Sequence, residues 1–302
     1  MTYEDLLLEL IRKDEKYIVM TSENRAAMRN LPSRIKNHFI DTGITEQTQI
    51  GMAAGLALRG RVPIVHALAT FLTMRAFEFI RTDVGIGNLP VKIVGAVPGF
   101  LSDGNGPTHQ AVEDVSIMRG IPNVGVFCPA DEDDMLKGLP KVFADNSPFY
   151  IRFNNTKPLV EHSKFEIGKA EVFGEGVDVA ILVYGFLFGQ AYKAKEILES
   201  QGIAVRLVNL RTPKPIDEAA ILKAVDECKT IVTVEDHFIT GGLYSILAEV
   251  LLKNKKTADV LPLALMNKWF KPALLNDVLE YEGFTAEQIA EKISNKIKAA
   301  NN

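Results

Sequence analysis

The sequence lacks several features that mark specialised classes of protein. Only two of its 302 residues are cysteines, Cys128 and Cys228, and neither has the spacing of a metal site around it. A soluble, reducing, cytoplasmic setting fits this cysteine content best. No apolar run approaches the roughly 20 residues that a membrane span needs. Glu4 and Asp5 stand where a signal peptide would be basic, so no such peptide is expected.

An excess of one charge and the common phosphate-binding motifs are also missing. The formal net charge is -4, which gives no reason to expect nucleic acid or an anionic membrane as a partner. No P-loop motif occurs. The nearest match to the dinucleotide-binding motif G-x-G-x-x-G runs from Gly104 to His109; it fails at its last position and contains Pro107. A Rossmann-type dinucleotide site therefore has no support.

The chain does contain an alternation of short apolar runs with longer segments of helical spacing. The predicted strands are residues 17–20, 62–67, 91–97, 124–128, 149–153, 177–184, 204–210, 230–234 and 260–265. The predicted helices are residues 71–81, 132–143, 188–200, 217–227, 242–252 and 285–298, the last with the capping-box pair Thr285 and Gln288. Continuous apolar strands between helices are typical of parallel sheets covered on both faces. We expect two consecutive three-layer α/β domains with mostly parallel sheets, residues 1–158 and 173–302, joined by a linker at 159–172.

One acid, Glu46, stands in the small and uncharged stretch "DTGITEQTQIGMAAG". A structural explanation is available: with Gly43 as N-cap, Glu46 is the third residue of a helix, where an acid favours the helix dipole. That explanation leaves the flanking Ile44, Gly51 and Gly55 without a reason, because a solvated helix start does not need them.

Two further stretches contain candidate ligand-binding side chains. Phe71, Met74 and Phe77 lie at helical spacing, which predicts a core face, but Phe71 follows a strand directly and can present its ring to a ligand. The glycine-rich loop at 98–110 also follows a strand and contains His109, near which we expect a helix to begin. Loops at the carboxyl ends of parallel strands are where α/β proteins bind ligands, and a histidine there can transfer protons.

Four segments together resemble one known family. They are "DTGITEQ…GMAAGLALRG", "ATFLTMRAFEFIR", "DGNGPTHQAVED" and "VFCPADEDD", and they occur in this order and at these intervals in the transketolase family of thiamine-diphosphate enzymes. The chain is most similar to the split form, which is made as two chains. The resemblance covers essentially the whole chain, including "EDHFITGGLYS" in the second domain. It implies a pyrimidine-binding domain followed by a transketolase C-terminal domain.

The resemblance also implies a role for individual residues. Glu46 matches the acid that hydrogen-bonds the aminopyrimidine ring of thiamine diphosphate, where sharing a proton helps the cofactor to lose the proton on its thiazolium carbon. Phe71 matches the aromatic residue that stacks on the pyrimidine. The apolar neighbours Ile44, Met74 and Phe77 are expected to line the same pocket.

The same resemblance implies the substrate contacts. His109 matches the histidine that contacts substrate oxygens near the reacting carbons, and Arg152 falls near a position that binds a substrate phosphate. Asn105 replaces an acid that reads a donor hydroxyl, and Asp103 is the alternative ligand. Residues 97–99 offer no cationic or histidine side chain where relatives have a phosphate ligand. A modified or unphosphorylated sugar is therefore an alternative to the usual sugar phosphates.

The segment that holds the cofactor's diphosphate in this family is missing from the sequence. Relatives bind the diphosphate through a metal held by a GDG…N segment in another domain, and no GDG occurs here. We therefore expect no metal ligand on this chain. Mg²⁺ or Ca²⁺ and the diphosphate should bind to an N-terminal, GDG…N-containing partner subunit, with two copies of each chain in a heterotetramer.

Three functions are compatible with the sequence. The first is transfer of a two-carbon ketol unit from a ketose to an aldose by a split transketolase. The second keeps the cofactor but changes the reaction, as in the beta subunit of a 2-oxo acid dehydrogenase or a deoxyxylulose-phosphate synthase-like enzyme. The third is a non-catalytic assembly partner. Retention of Glu46, Phe71 and His109 together favours an enzyme.

Overall fold

The computed structural model describes residues 1–300 and contains two parallel-stranded sheets. The strands of the first sheet are β1 (Tyr17–Thr21), β2 (Phe39–Asp41), β3 (Val62–Leu68), β4 (Lys92–Ala96), β5 (Gly125–Phe127) and β6 (Phe149–Arg152). Those of the second are β7 (Glu171–Phe173), β8 (Val179–Val183), β9 (Val205–Asn209), β10 (Thr230–Phe238) and β11 (Val260–Leu265). The strand orders are β2-β1-β3-β4-β6-β5 and β11-β10-β8-β9-β7. All pairs are parallel except β7 with β9, which confirms the predicted fold class.

Helices cover both faces of the sheets. They are α1 (Tyr3–Lys13), α2 (Leu31–Ile35), α3 (Glu46–Leu58), α4 (Phe77–Phe79), α5 (Asp114–Arg119), α6 (Glu132–Ala144), α7 (Phe188–Ser200), α8 (Glu218–Glu227), α9 (Leu243–Lys253), α10 (Leu275–Glu282) and α11 (Ala286–Ala300). The predicted capping box precedes α11: Gln288 N donates to Thr285 Oγ1 and Thr285 N donates to Gln288 Oε1, both at 3.3 Å. Among residues 1–300, none of the helices is long and apolar enough to cross a bilayer.

Alternate residues of each buried strand belong to different cores. Ile18 and Met20 of β1 pack in one core, while Tyr17 and Val19 pack in another on the opposite face of the sheet. The first of these cores continues into the second domain, where it includes Leu182. The two domains therefore pack against each other through shared apolar contacts.

Two strands and three helices were not expected from the sequence. β2 and β7 are three residues long and lie at sheet edges, so they lack the long apolar runs of the central strands. β7 also includes residues 171 and 172, the last two of the predicted linker. The helices α1, α2 and α10 were not predicted either.

Candidate active site

The carboxyl ends of three neighbouring strands, β2, β1 and β3, lie at the edge of the first sheet where ligands bind in open α/β folds. A cavity of about 550 Å³ lies there. It is lined by Ser22, Glu23, Asn24, Arg25, Ala26, Arg29, Ile44, Glu46, Leu68 and Phe71. The lining therefore combines apolar side chains with charged groups, as binding pockets for small molecules do.

Glu46 is the first residue of α3 and is only 2% exposed. The prediction that Gly43 is the N-cap is wrong, because Thr45 precedes the helix and Gly43, at φ +68°, lies in the turn before it. Glu46 still lies at the positive end of the helix, where a carboxylate is favoured. A buried acid that lines a cavity is suited to bind a polar ligand atom.

Arg75 joins the acid to the aromatic ring of the cavity. Its Nη1 donates to Glu46 Oε2 at 2.8 Å, and its guanidinium carbon lies 4.0 Å from the centre of the Phe71 ring, a cation–π contact. The Arg75 side chain is 41% exposed, so one side of this ion pair faces solvent. Within residues 1–300, Glu46 Oε1 makes no hydrogen bond, which leaves that oxygen for a ligand donor.

His109 lies beside Phe71 although 38 positions separate them in the sequence. Their ring centres are 5.1 Å apart and the rings meet edge to face. Thr108 Oγ1 and His109 Nδ1 are hydrogen-bonded at 2.9 Å, so the other ring nitrogen, Nε2, is the one left for a ligand. The structure thus brings Glu46, Phe71 and His109 to one place.

The predicted helix at 71–81 begins as a wider turn. Residues Phe71–Arg75 form a π-helix, with Ala76 N donating to Phe71 O at 3.1 Å, and α-helical geometry begins at Phe77. Because a π-helix changes the angle between successive residues, Met74 and Phe77 do not follow Phe71 on one face. Neither lines the cavity; Phe77 packs against the core shared by the two domains. Ile44 does line it and is 67% exposed.

The glycine-rich loop differs from the prediction in where its helix starts. Residues Gly99–Asn105 form 3₁₀ turns with a kink at Asp103, and α5 begins only at Asp114, not near His109. Gly106, at φ +85°, and Pro107 separate these turns from α5. Asn105 Nδ2 donates to Ser102 O at 2.8 Å. Neither Asp103 nor Asn105 lines the cavity.

Arg152 does not have the surroundings of a phosphate ligand. It is 2% exposed, and all three nitrogens of its guanidinium are bonded within the protein. Nε donates to Asp114 Oδ2 at 2.9 Å, Nη1 to Asp236 Oδ1 at 2.6 Å and Nη2 to Ala111 O at 3.3 Å. We therefore withdraw the prediction that Arg152 binds a substrate phosphate.

The segment that follows β1 was not singled out from the sequence, yet it supplies about half of the cavity lining. Its cationic members are Arg25, which pairs with Asp41, and Arg29. The available signal was their place directly after a buried strand, the same signal that pointed to Phe71 and His109.

Comparison with known proteins identifies the family. The family model "Transketolase, pyrimidine binding domain" matches residues 2–158, and "Transketolase, C-terminal domain" matches residues 168–289. The chain belongs to the transketolase family. Members of this family depend on thiamine diphosphate.

Split-form relatives match this chain over most of their own length. It is 38% identical over 259 residues to the 6-deoxy-6-sulfo-D-fructose transketolase subunit SqwH of Clostridium sp. (strain MSTE9), covering 84% of this chain and 80% of that protein. A solved structure described as "Split gene transketolase, inactive beta4 tetramer" superposes with a TM-score of 0.89 at 32% identity, covering 98% and 97% of the two chains. The chain is therefore homologous to split transketolase subunits.

Longer relatives match over only part of their length. The 1-deoxy-D-xylulose-5-phosphate synthase of Dictyoglomus thermophilum is 34% identical over 95% of this chain, but the match covers 47% of that enzyme. Transketolases from Pichia stipitis share the fold at 18% identity, with a TM-score of 0.79 and 46% of their length covered.

The residues present suit one half of thiamine diphosphate. A buried carboxylate with a free oxygen and an aromatic ring border one cavity of about 550 Å³, which fits a flat ring with polar edges. Glu46 and Phe71 would hold the aminopyrimidine. When bound, the cofactor supplies a carbanion equivalent that attacks carbonyl carbons.

Proposed function

We propose that this chain is the pyrimidine-binding subunit of a split transketolase, which moves a two-carbon ketol unit from a ketose to an aldose. The observation that carries the proposal is that Glu46 and Phe71 line one cavity and that His109 packs against the Phe71 ring, although the three residues come from separate segments of the chain. The match to split subunits along nearly the full length supports it.

Each of these residues has a task in the proposed reaction. Glu46 Oε1 accepts a hydrogen bond from the pyrimidine and holds a proton at the ring nitrogen of the pyrimidine. Phe71 stacks on the ring and fixes its plane. His109 uses Nε2 to bind substrate oxygens and to hold or release a proton there. Asp103 and Asn105 remain the proposed ligands for donor hydroxyls.

A partner subunit completes the proposed site. We propose that an N-terminal subunit with a GDG…N segment supplies Mg²⁺ or Ca²⁺ and binds the diphosphate, in a cytoplasmic heterotetramer with two copies of each chain. The outer face of α3, next to Glu46, supports an approach by another chain. A side chain added at Gly55 would meet no atom within 4 Å, so this chain alone does not require glycine there. The neighbouring Ile44 and Met52 are 67% and 42% exposed.

Two tests define the reaction. The chain should be co-expressed with a GDG…N subunit, and the complex offered a ketose donor with an aldose acceptor. Phosphorylated, unphosphorylated and 6-sulfonated ketoses form separate arms, because one relative carries the last substrate in its name. We expect ketol transfer without release of carbon dioxide. Carbon dioxide release from pyruvate would instead support the second candidate, a 1-deoxy-D-xylulose-5-phosphate synthase-like enzyme, which the synthase relatives favour.

A variant separates an enzyme from an assembly partner. We expect Glu46→Ala to abolish ketol transfer while the complex still elutes as one species in size-exclusion chromatography. Unchanged turnover in that variant would refute the assignment.

A further inference from the structure

The loop that carries His109 is closed at its base by a short neck. Gly99 N donates to Ala111 O at 2.9 Å, so residues 99 and 111 lie side by side and the loop returns on itself. The first part of the loop, Gly99–Asn105, consists of 3₁₀ turns, with Asp103 at φ +31°, and the rest has no helix or strand. Such a loop has little regular structure of its own, so its position depends on what holds the neck.

An ion pair between the two domains contacts both sides of this neck. Arg152, at the end of β6, donates to Ala111 O and to Asp114, the first residue of α5. Its third nitrogen donates at 2.6 Å to Asp236 in β10 of the second domain. Asp236 Oδ2 in turn accepts from Phe100 N at 3.2 Å, on the other side of the neck. The side chains of Arg152 and Asp236 are 3% and 1% exposed, so water does not compete for these bonds.

The neck and the side chain of Asp236 are in close contact, with no free space between them. A Cβ added at Gly99, which has φ +55°, would lie 1.8 Å from Asp236 Oδ2 and 2.7 Å from Arg152 Nη2. Only glycine therefore permits this approach.

A second set of contacts holds the loop to the same domain. Gln110 Nε2, next to His109, donates to Phe270 O at 2.9 Å. The Phe100 ring lies 5.1 Å from both the Phe270 and Phe284 rings. The second domain thus binds the loop both at its neck and beside the histidine.

We propose that Arg152 and Asp236 are positioning residues through which the C-terminal domain sets the place of His109 beside Phe71. This inference rests on the proposed function, in which His109 binds substrate. A displacement of about 1 Å at a reacting group can lower turnover on the order of 100-fold. A buried ion pair at the neck prevents such a displacement, because breaking it leaves a charge without its partner in a dry interior.

The test uses Asp236→Asn in the complex with the partner subunit. We expect kcat for ketol transfer to fall on the order of 100-fold, while the affinity for thiamine diphosphate stays at the wild-type value because Glu46 and Phe71 are unchanged. The matched control is Asp134→Asn. Asp134 is also a buried acid of the domain interface, 3.5 Å from Arg211, but it makes no contact with the loop. We expect the control to keep wild-type kcat.

A spectroscopic measurement makes the inference independent of turnover. The chain has five histidines, so histidine-labelled protein gives few NMR signals, and His109→Gln assigns the relevant one. The Phe71 ring beside His109 shifts that signal. We expect Asp236→Asn to move the His109 signal and Asp134→Asn to leave it in place. If the wild-type complex transfers no ketol unit, the proposed function fails, but the signal still tests the positioning.

A second variant covers the case in which Asp236→Asn does not fold. Gln110→Met removes the hydrogen bond to Phe270 O and no other side-chain hydrogen bond, since Gln110 Oε1 has no hydrogen-bond partner among the described residues. We expect a smaller movement of the His109 signal and a smaller loss of kcat. A folded Asp236→Asn or, failing that, Gln110→Met with an unmoved His109 signal and wild-type kcat would overturn the inference.

Discussion

His162, in the segment between the domains, should make the stability of the chain depend on pH. Its buried ring lies between two acids, with Nε2 2.9 Å from Asp131 and Nδ1 2.7 Å from Glu171. Burial opposes the charge on the ring, but the hydrogen bonds to Asp131 and Glu171 outweigh it and raise the pKa of His162 from 6.5 to about 10. Burial also opposes the charge on Glu171, but the hydrogen bonds from His162 and from Ser163 N and the nearby charge of Arg211 lower the pKa of Glu171 to about 2.

The size of the effect follows from the raised pKa. One pKa unit corresponds to about 1.4 kcal/mol, so a shift from 6.5 to about 10 corresponds to roughly 5 kcal/mol while the ring is charged in both states. Because the folded pKa is raised, the stabilisation is complete below pH 6.5 and is lost as the pH rises toward 10. Between about pH 5.5 and about pH 8.5 the loss is roughly 2–3 kcal/mol. The Glu171 shift arises in part from the same contact with His162 and is not added.

The assay compares wild type with His162→Gln by urea unfolding at both pH values. The comparison is needed because burial lowers the pKa of His66 and of His237 to about 4, so these residues stabilise the fold as the pH rises and mask the loss at His162. We expect the wild type to exceed the variant in unfolding free energy by roughly 2–3 kcal/mol more at the lower pH than at the higher. An equal difference at both pH values would refute a charged, doubly bonded His162.

Three further substitutions test the site and the helix cap. Phe71→Leu keeps an apolar side chain but removes stacking worth about 0.5–1.5 kcal/mol, so calorimetry on the complex should show thiamine diphosphate affinity reduced up to about tenfold; an unchanged affinity would contradict the stacking role. His109→Asn should lower kcat/KM by at least about 100-fold in steady-state kinetics, and near-normal turnover would exclude this histidine. Thr285→Ala removes the cap of α11 and should lower the unfolding free energy by about 1 kcal/mol in urea; no change in stability would show that this cap is dispensable.

The central strands could be predicted because buried parallel strands are continuous apolar runs. Most helices could be predicted because their apolar residues recur at helical spacing. β1, β3 and β8 all follow from the rule for strands. The three-residue edge strands β2 and β7 carry too few residues for any periodicity to appear. The π-helix at Phe71–Arg75 is invisible for a related reason, since its five residues read equally well as an α-helix.

For the site, the sequence indicated residues but not their partners. The places of Phe71 and His109 after predicted strands pointed to one edge of the sheet, the family resemblance added Glu46, and the structure brings the three residues together there. Arg152 shows the limit of this approach. Its partner Asp236 lies 84 positions away in another domain, and no local pattern tells a buried arginine that binds acids from one that binds a phosphate. The link from Arg75 to Glu46, 29 positions apart, is also a result of folding alone.

The most direct test of the account is where thiamine diphosphate binds. Isothermal titration calorimetry should be run with thiamine diphosphate and Mg²⁺ on this chain alone, on the GDG…N subunit alone and on their mixture. If this chain contributes only the pyrimidine side of a shared site, it binds the cofactor poorly by itself, and tight binding appears only in the mixture. Tight, Mg²⁺-dependent binding by the isolated chain would contradict the account.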